Sequence, residues 1–160
     1  MIKQGNIMNK KTVIFDLDGT LADITARRKL ATKDNGKLDW DVFLDRDNIK
    51  LDVPNQKVVD MARMINDTDR YQIFILSGRT KATYRTTRNW LIQNDIPFDD
   101  LIMRPTDNHH HYMADNDLKQ MWLDDIGVDN VAMVFDDRNQ VVDMWRKNGL
   151  TTFQVADGDF

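Results

Sequence analysis

The chain of 160 residues has no cysteine, which excludes disulfides and thiolate metal sites. It has no glutamate either. All 26 acidic side chains are aspartate, so any carboxylate chemistry is aspartate chemistry. An EF-hand reading of a closely spaced aspartate pair also fails, because that loop needs a closing glutamate. No apolar run approaches the ~20 residues of a membrane span, and the leading MIKQGNIMNKK lacks the apolar centre of a signal peptide. No membrane partner is therefore expected, and a cytoplasmic location fits. No G-x-x-x-x-G-K-[ST] phosphate loop is present, so kinase activity is not expected. Repeats, low-complexity tracts and linkers are missing too. The net charge is −4, so the molecule as a whole is not a basic polyanion binder, and any nucleic-acid contact needs a local patch.

What is present reads as one folded domain, with hydrophobic and charged fractions of 41% and 30% that are ordinary for a globular protein. Continuously apolar strands are expected at 12–16, 71–76, 101–103, 131–135 and 152–155. Helices are expected over about 55–67, 80–94, 115–126 and 138–148, and residues 20–31 are read as helical or partly so. Pro54 is read as a helix start and Thr80 as a helix cap. Strands buried on both faces and alternating with helices predict an α/β fold, a doubly wound parallel sheet of about five strands with helices on both faces. Residues 1–11 are expected to be a flexible amino terminus. Residues 32–53 are polar and rich in aspartate, and are read as a small insertion or cap-like segment rather than a second domain. Trp40, Trp90, Trp122 and Trp145 are expected in or near the core.

Ligands of such sheets bind beyond the carboxyl ends of the strands. Four expected strand ends there carry Asp16-Leu17-Asp18-Gly19-Thr20, Ser77-Gly78-Arg79, Met103-Arg104 and Asp136-Asp137. Asp16 and Asp18, two apart on extended chain, face the same side, and Gly19 permits a sharp turn beside a ligand. One carboxylate is then placed to attack phosphorus and the other to manage the proton. A carboxylate approaching a phosphate dianion needs a cation, and Mg²⁺ prefers hard oxygen ligands. Asp136, supported by Asp137, supplies the further carboxylates. The Ser77 hydroxyl and neighbouring backbone N–H groups, Gly78 included, suit phosphate oxygens. Lys119, in the first turn of a helix, leans towards the same edge. Arg27, Arg28, Arg79, Lys81, Arg85, Arg88 and Arg104 are candidates for a basic rim, with a solvated face as the plainer reading. His109, His110 and His111 read as an exposed polar loop before they read as a metal site.

The ordered set Asp16-x-Asp18-Gly19-Thr20, Ser77, Lys119 and Asp136-Asp137 resembles the haloacid dehalogenase-like phosphatase superfamily. The longer stretches 15–22, 76–79, 135–146 and 153–160 resemble the 3′-phosphatase domain of the T-even bacteriophage polynucleotide kinase–phosphatases. The resemblance covers roughly residues 12–160. It implies a Rossmann-like core over a single domain, 1–160, and Mg²⁺-dependent hydrolysis of phosphomonoesters through an aspartyl-phosphate.

It also implies roles. Asp16 is the nucleophile and Asp18 the acid/base. Ser77, Gly78, Lys119, Arg79 and Arg27 hold the substrate phosphate, and Asp16, the Asp18 backbone carbonyl, Asp136 and Asp137 hold the metal. Thr20 and Asp115 support them. Arg27 matches by its distance from Asp16, and Asp115 by its offset from Lys119.

The substrate implied is a 3′-phosphate on a nucleic-acid end. Free nucleotides or other small phosphomonoesters are the alternative, and a non-catalytic end-binding module is the second. Host cytoplasm follows if the chain is phage-encoded, and homo-oligomerisation stays open. His109–His111 stand where the relatives favour arginine and aspartate.

Overall fold

The structure, a computed structural model, describes residues 9–159. Most of the expected flexible amino terminus and the final Phe160 lie outside that range. In chain order the elements are β1 (Lys11–Asp16), β2 (Ala22–Asp23), α1 (Thr25–Ala31), α2 (Trp40–Phe43), α3 (Arg46–Ile49), β3 (Val53–Pro54), α4 (Gln56–Asp67), β4 (Tyr71–Thr80), α5 (Tyr84–Gln93), β5 (Asp100–Arg104), α6 (Asn108–His111), α7 (Asp115–Ile126), β6 (Val131–Asp136), α8 (Asn139–Lys147) and β7 (Thr152–Gln154). A five-stranded parallel sheet runs in the order β5-β4-β1-β6-β7, and β2 and β3 form a separate antiparallel pair. Among the described residues no helix is long and apolar enough to cross a membrane.

This order is a doubly wound sheet. The chain steps outward from β1 to β4 and β5, then returns to β6 on the other side of β1. Right-handed crossovers place the helices of the two halves on opposite faces. Side chains alternate across each strand, so Val13 and Phe15 join one core with Val58, Val59, Ala62, Trp90 and Leu91 of α4 and α5. Ile14 joins the other with Leu118, Trp122, Val141 and Trp145 of α7 and α8. The strand order reverses between β1 and β6, which opens a crevice at their carboxyl ends. The register there pairs Phe15 with Phe135, and their rings stack at 4.6 Å. Asp16 and Asp136 therefore leave the sheet side by side.

Several expectations are corrected. The segment expected to be helical from residue 20 first forms a turn and the short β2, and α1 begins only at Thr25. Pro54 belongs to β3, paired with Ala22, and α4 follows it. Strand β4 does not stop at Leu76. It continues through Ser77-Gly78-Arg79 to Thr80, with a shift in its register against β5 between Ser77 and Thr80. Thr80 makes no side-chain cap and leads into a 3₁₀ turn, so α5 starts seven residues after Ser77. Residues 32–53 contain two single-turn helices, α2 and α3, each begun by an aspartate, Asp39 or Asp45, whose carboxylate accepts two backbone N–H bonds.

Candidate active site

Three buried carboxylates meet at the crevice. Asp16 ends β1, Asp136 ends β6 and Asp137 follows it, with one oxygen of each within 4.8 Å of the others. Lys119 reaches them from the first turns of α7, Nζ donating to Asp16 Oδ1 at 2.6 Å and to Asp136 Oδ2 at 2.9 Å. The Thr20 hydroxyl lies 3.3 Å from Asp16 Oδ2 and 3.2 Å from Asp137 Oδ1, and its single proton serves one of them at a time. Asp136 is the most tightly held. Its Oδ2 also accepts from Trp145 Nε1 at 3.1 Å, and its Oδ1 from the backbone N–H of Asp137 and Arg138. The end of β7 and the residue after it brace the same loop, with Gln154 Nε2 donating to Asp137 O and Val155 N to Asp136 O.

Three carboxylates facing one ammonium leave two negative charges in excess. Burial pushes the Asp16 carboxyl well above the usual carboxylate range, and Asp136 and Asp137 add to that against the pull of Lys119. Asp137 is raised for the same reasons, burial first and Asp136 second. Burial works against the Lys119 ammonium, yet Asp136 and Asp16 outweigh it and raise its pKa. The charged form of Lys119 is thereby favoured over the neutral amine. A buried cluster of hard oxygen ligands with excess negative charge fits a divalent cation such as Mg²⁺.

Asp18 belongs to a second cluster. Arg79 Nε donates to Asp18 Oδ1 at 3.0 Å, and Arg27 Nη2 to the same oxygen at 2.7 Å. Both guanidinium groups also grip Asp52, Arg27 Nε at 2.9 Å and Arg79 Nη2 at 2.7 Å. Two cations and two anions balance here. Burial favours the neutral acid at Asp18, but Arg79 and Arg27 overcome it and hold its carboxyl below the usual value. Asp52, whose side chain has no solvent exposure, is raised by burial despite the same two partners.

A cavity of about 300 Å³ joins the clusters, lined by Asp16, Asp18, Gly78, Arg79, Asp115, Lys119, Asp136 and Asp137 together with part of 32–53. Gly78 leaves room for Asp115, whose Oδ1 would sit 2.8 Å from an added Cβ. Asp115 accepts from Arg104 and, at 2.9 Å, from Arg138 Nη1, tying α7 to the ends of β5 and β6. Ser77 lies behind the wall, 1% exposed, its Oγ accepting from Arg79 N at 3.2 Å.

The expected basic rim is corrected in part. Arg27, Arg79 and Arg104 are buried, because their guanidinium groups are spent on Asp18, Asp52, Asp115 and backbone carbonyls. Lys81, Arg85 and Arg88 are exposed. Trp90, Trp122 and Trp145 are buried as expected, but Trp40 is 62% exposed and lines the cavity. The histidines all lie in the single turn α6, where His110 Nδ1 pairs with Asp107 at 2.8 Å. Among the described residues they are not part of the metal-type cluster.

Sequence reasoning missed two contributors. Nothing in the local spacing singles out Asp52 among the aspartates. Trp145 had a usable signal, since a buried indole N–H needs an acceptor.

A family model for the polynucleotide kinase PNKP phosphatase domain matches residues 10–160. The chain belongs to that family. It is 33% identical over 149 residues to the "Putative bifunctional polynucleotide kinase/RNA ligase" of Autographa californica nuclear polyhedrosis virus, covering 91% of this chain and 19% of that one. A solved chain of a Pnkp1/Rnl/Hen1 complex is also 33% identical, with a TM-score of 0.73 over 96% of this chain and 48% of that chain. A haloacid dehalogenase-like family hydrolase from Streptococcus pneumoniae shares the fold at 14% identity, with a TM-score of 0.58 over 91% of this chain and 84% of that one. The phosphatase-domain chain thus has a haloacid dehalogenase-like, Rossmann-like fold, and spans less than half the length of the viral relative and of the solved Pnkp1/Rnl/Hen1 chain.

Proposed function

We propose that this phosphatase domain hydrolyses 3′-phosphates from nucleic-acid ends, using a divalent cation and an aspartyl-phosphate at Asp16. One observation carries the reading: Asp16, held against Lys119, shares a cavity with Asp18, which is held by a separate, charge-balanced cluster. The two carboxylates are thereby set to different tasks.

In the first step an Asp16 carboxylate oxygen bonds to phosphorus and the bond from phosphorus to the ester oxygen breaks. Lys119 stays charged throughout and offsets the negative charge of the phosphoryl oxygens. Asp18 gives its proton to the departing oxygen. Without substrate Asp18 is held ionised by Arg79 and Arg27. An arriving phosphate dianion brings like charge beside it and favours its protonated form. In the second step water attacks phosphorus, Asp18 takes the water's proton, and the bond between Asp16 and phosphorus breaks to release inorganic phosphate. Asp16, Asp136 and Asp137, with the Asp18 backbone carbonyl, are the groups that would hold Mg²⁺, which when bound offsets the repulsion between Asp16 and the phosphate. Gly78 and Arg79 border the space for the phosphate, with Ser77 behind them. Arg27 is fully buried and positions Asp18.

The cavity, at the low end of the ~300–1,000 Å³ typical of small-molecule sites, takes about one nucleotide. That size also suits a free nucleotide, which is the competing reading. Steady-state hydrolysis of a 3′-phosphorylated oligonucleotide and of a 3′-mononucleotide, both with Mg²⁺, separates the two. Higher kcat/KM on the oligonucleotide is expected, and faster turnover of the mononucleotide would favour the competing reading. Absence of Mg²⁺-dependent turnover of any phosphomonoester would leave the end-binding module.

A further inference from the structure

The segment 32–53 closes one side of the catalytic cavity, and it does so largely with carbon. Leu38, Trp40, Phe43 and Leu44 line the same cavity as Asp16, Asp18 and Lys119. Trp40 stands apart from the other tryptophans. Trp90, Trp122 and Trp145 are at most 6% exposed, whereas Trp40 is 62% exposed. A large aromatic ring left open beside a charged site is an unusual use of apolar surface.

The ring is also held in place. The Asp39 carboxylate accepts from Asp41 N and Val42 N and fixes the turn that carries Trp40. Phe43 meets the indole edge-on, with centroids 5.7 Å apart and planes at 89°. Phe43 is itself covered by the Arg27 guanidinium, 4.2 Å from its centroid, and Arg27 donates to Asp18. A chain of contacts thus runs from the acid/base carboxylate to the exposed indole. Among the described residues no aromatic ring stacks face to face on that indole.

We infer that Trp40 is the nucleobase platform of this site. The base of the 3′-terminal nucleotide stacks on the indole while its phosphate lies against Asp16 and Lys119. The inference rests on the nucleic-acid phosphatase reading and deepens it. Every base has a π-face, so a stacking platform accepts any terminal base. It discriminates instead against ends that carry a phosphate but no base. A single-nucleotide cavity with one aromatic wall matches that demand, and the rest of the strand stays outside.

The test compares wild type, Trp40→Phe and Trp40→Ala on two 3′-phosphorylated oligonucleotides of equal length. One ends in an ordinary nucleotide and the other in an abasic sugar. Trp40→Ala is expected to lower kcat/KM on the base-bearing end by about tenfold or more, and on the abasic end by less than about twofold, as loss of one stack requires. Trp40→Phe is expected to keep most of the preference. Equal losses on both ends, or no loss on either, would overturn the platform. Wild type that cleaves both ends equally well would overturn the platform alone and leave the 3′-phosphatase reading standing. Wild type that hydrolyses glycerol phosphate but neither nucleic-acid end would overturn that reading and the platform together.

Discussion

Asp18 and Asp16 are two residues apart and live in opposite electrostatic settings. Asp18 shares two guanidinium groups with Asp52, so charge is balanced there. Asp52→Asn leaves two buried cations facing one carboxylate. Loss of one partner from a buried ionic group costs about 3 kcal/mol or more, and Arg79 and Arg27 then bind Asp18 more tightly and oppose its protonation. The expected outcome is a lower urea midpoint together with a lower kcat. A variant with unchanged stability would show that Asp52 is a bystander. Asp16 sits where negative charge is in excess, and burial and its neighbours raise its pKa. Asp16→Asn is expected to abolish turnover while leaving the melting temperature in Mg²⁺-free buffer unchanged or higher. A fall of several degrees would contradict the charge imbalance. Asp16 and Asp18 were legible in the sequence because an apolar strand and a glycine turn mark them. Asp52 was not, because its partners lie 25 and 27 residues away and nothing local records that meeting.

The turn after β1 shows how an element's shape serves the metal-type cluster. Gly19 has φ of +83°, and an added Cβ would lie 2.1 Å from Asp137 Oδ2. Gly19→Ala therefore combines a left-handed backbone penalty of about 1–2 kcal/mol with a displaced Asp137 carboxylate. It is expected to lower the melting temperature and to raise the Mg²⁺ concentration needed for half-maximal activity. A magnesium titration of turnover that matched wild type would count against Asp137 as a contributor. The strands and long helices were read to within a few residues, since burial on both faces writes continuous apolar runs and burial on one face writes helical spacing. The exception is informative. Ser77-Gly78-Arg79 reads as a strand breaker, yet β4 runs through it because β5 offers a pairing edge with a shifted register. The buried arginines were misread for a related reason. A charge in a sequence looks solvated until its carboxylate partner arrives from another element.

At the scale of the whole molecule, the topology and the charge arithmetic meet in one place. The strand order reverses between β1 and β6, the Phe15–Phe135 stack levels their ends, and Asp16 and Asp136 emerge together over Lys119. Parallel-sheet topology was legible from alternation, but the excess of charge was not, since it depends on which of the 26 aspartates share a pocket. That excess opposes folding, and a divalent cation bound there would relieve it. A ligand that binds only the folded state stabilises it by about 2.7 kcal/mol at a hundred times its Kd. For a domain of this size that corresponds to a rise of roughly 5–10 °C in melting temperature. Mg²⁺ is expected to produce such a rise, while NaCl at equal ionic strength does not. In Asp137→Asn the excess is reduced and one ligand is lost, so the magnesium-dependent rise should shrink. Equal melting temperatures for wild type in Mg²⁺ and in NaCl would mean that the three carboxylates do not form a divalent-cation site, and the excess charge would then have to be answered by the substrate side alone.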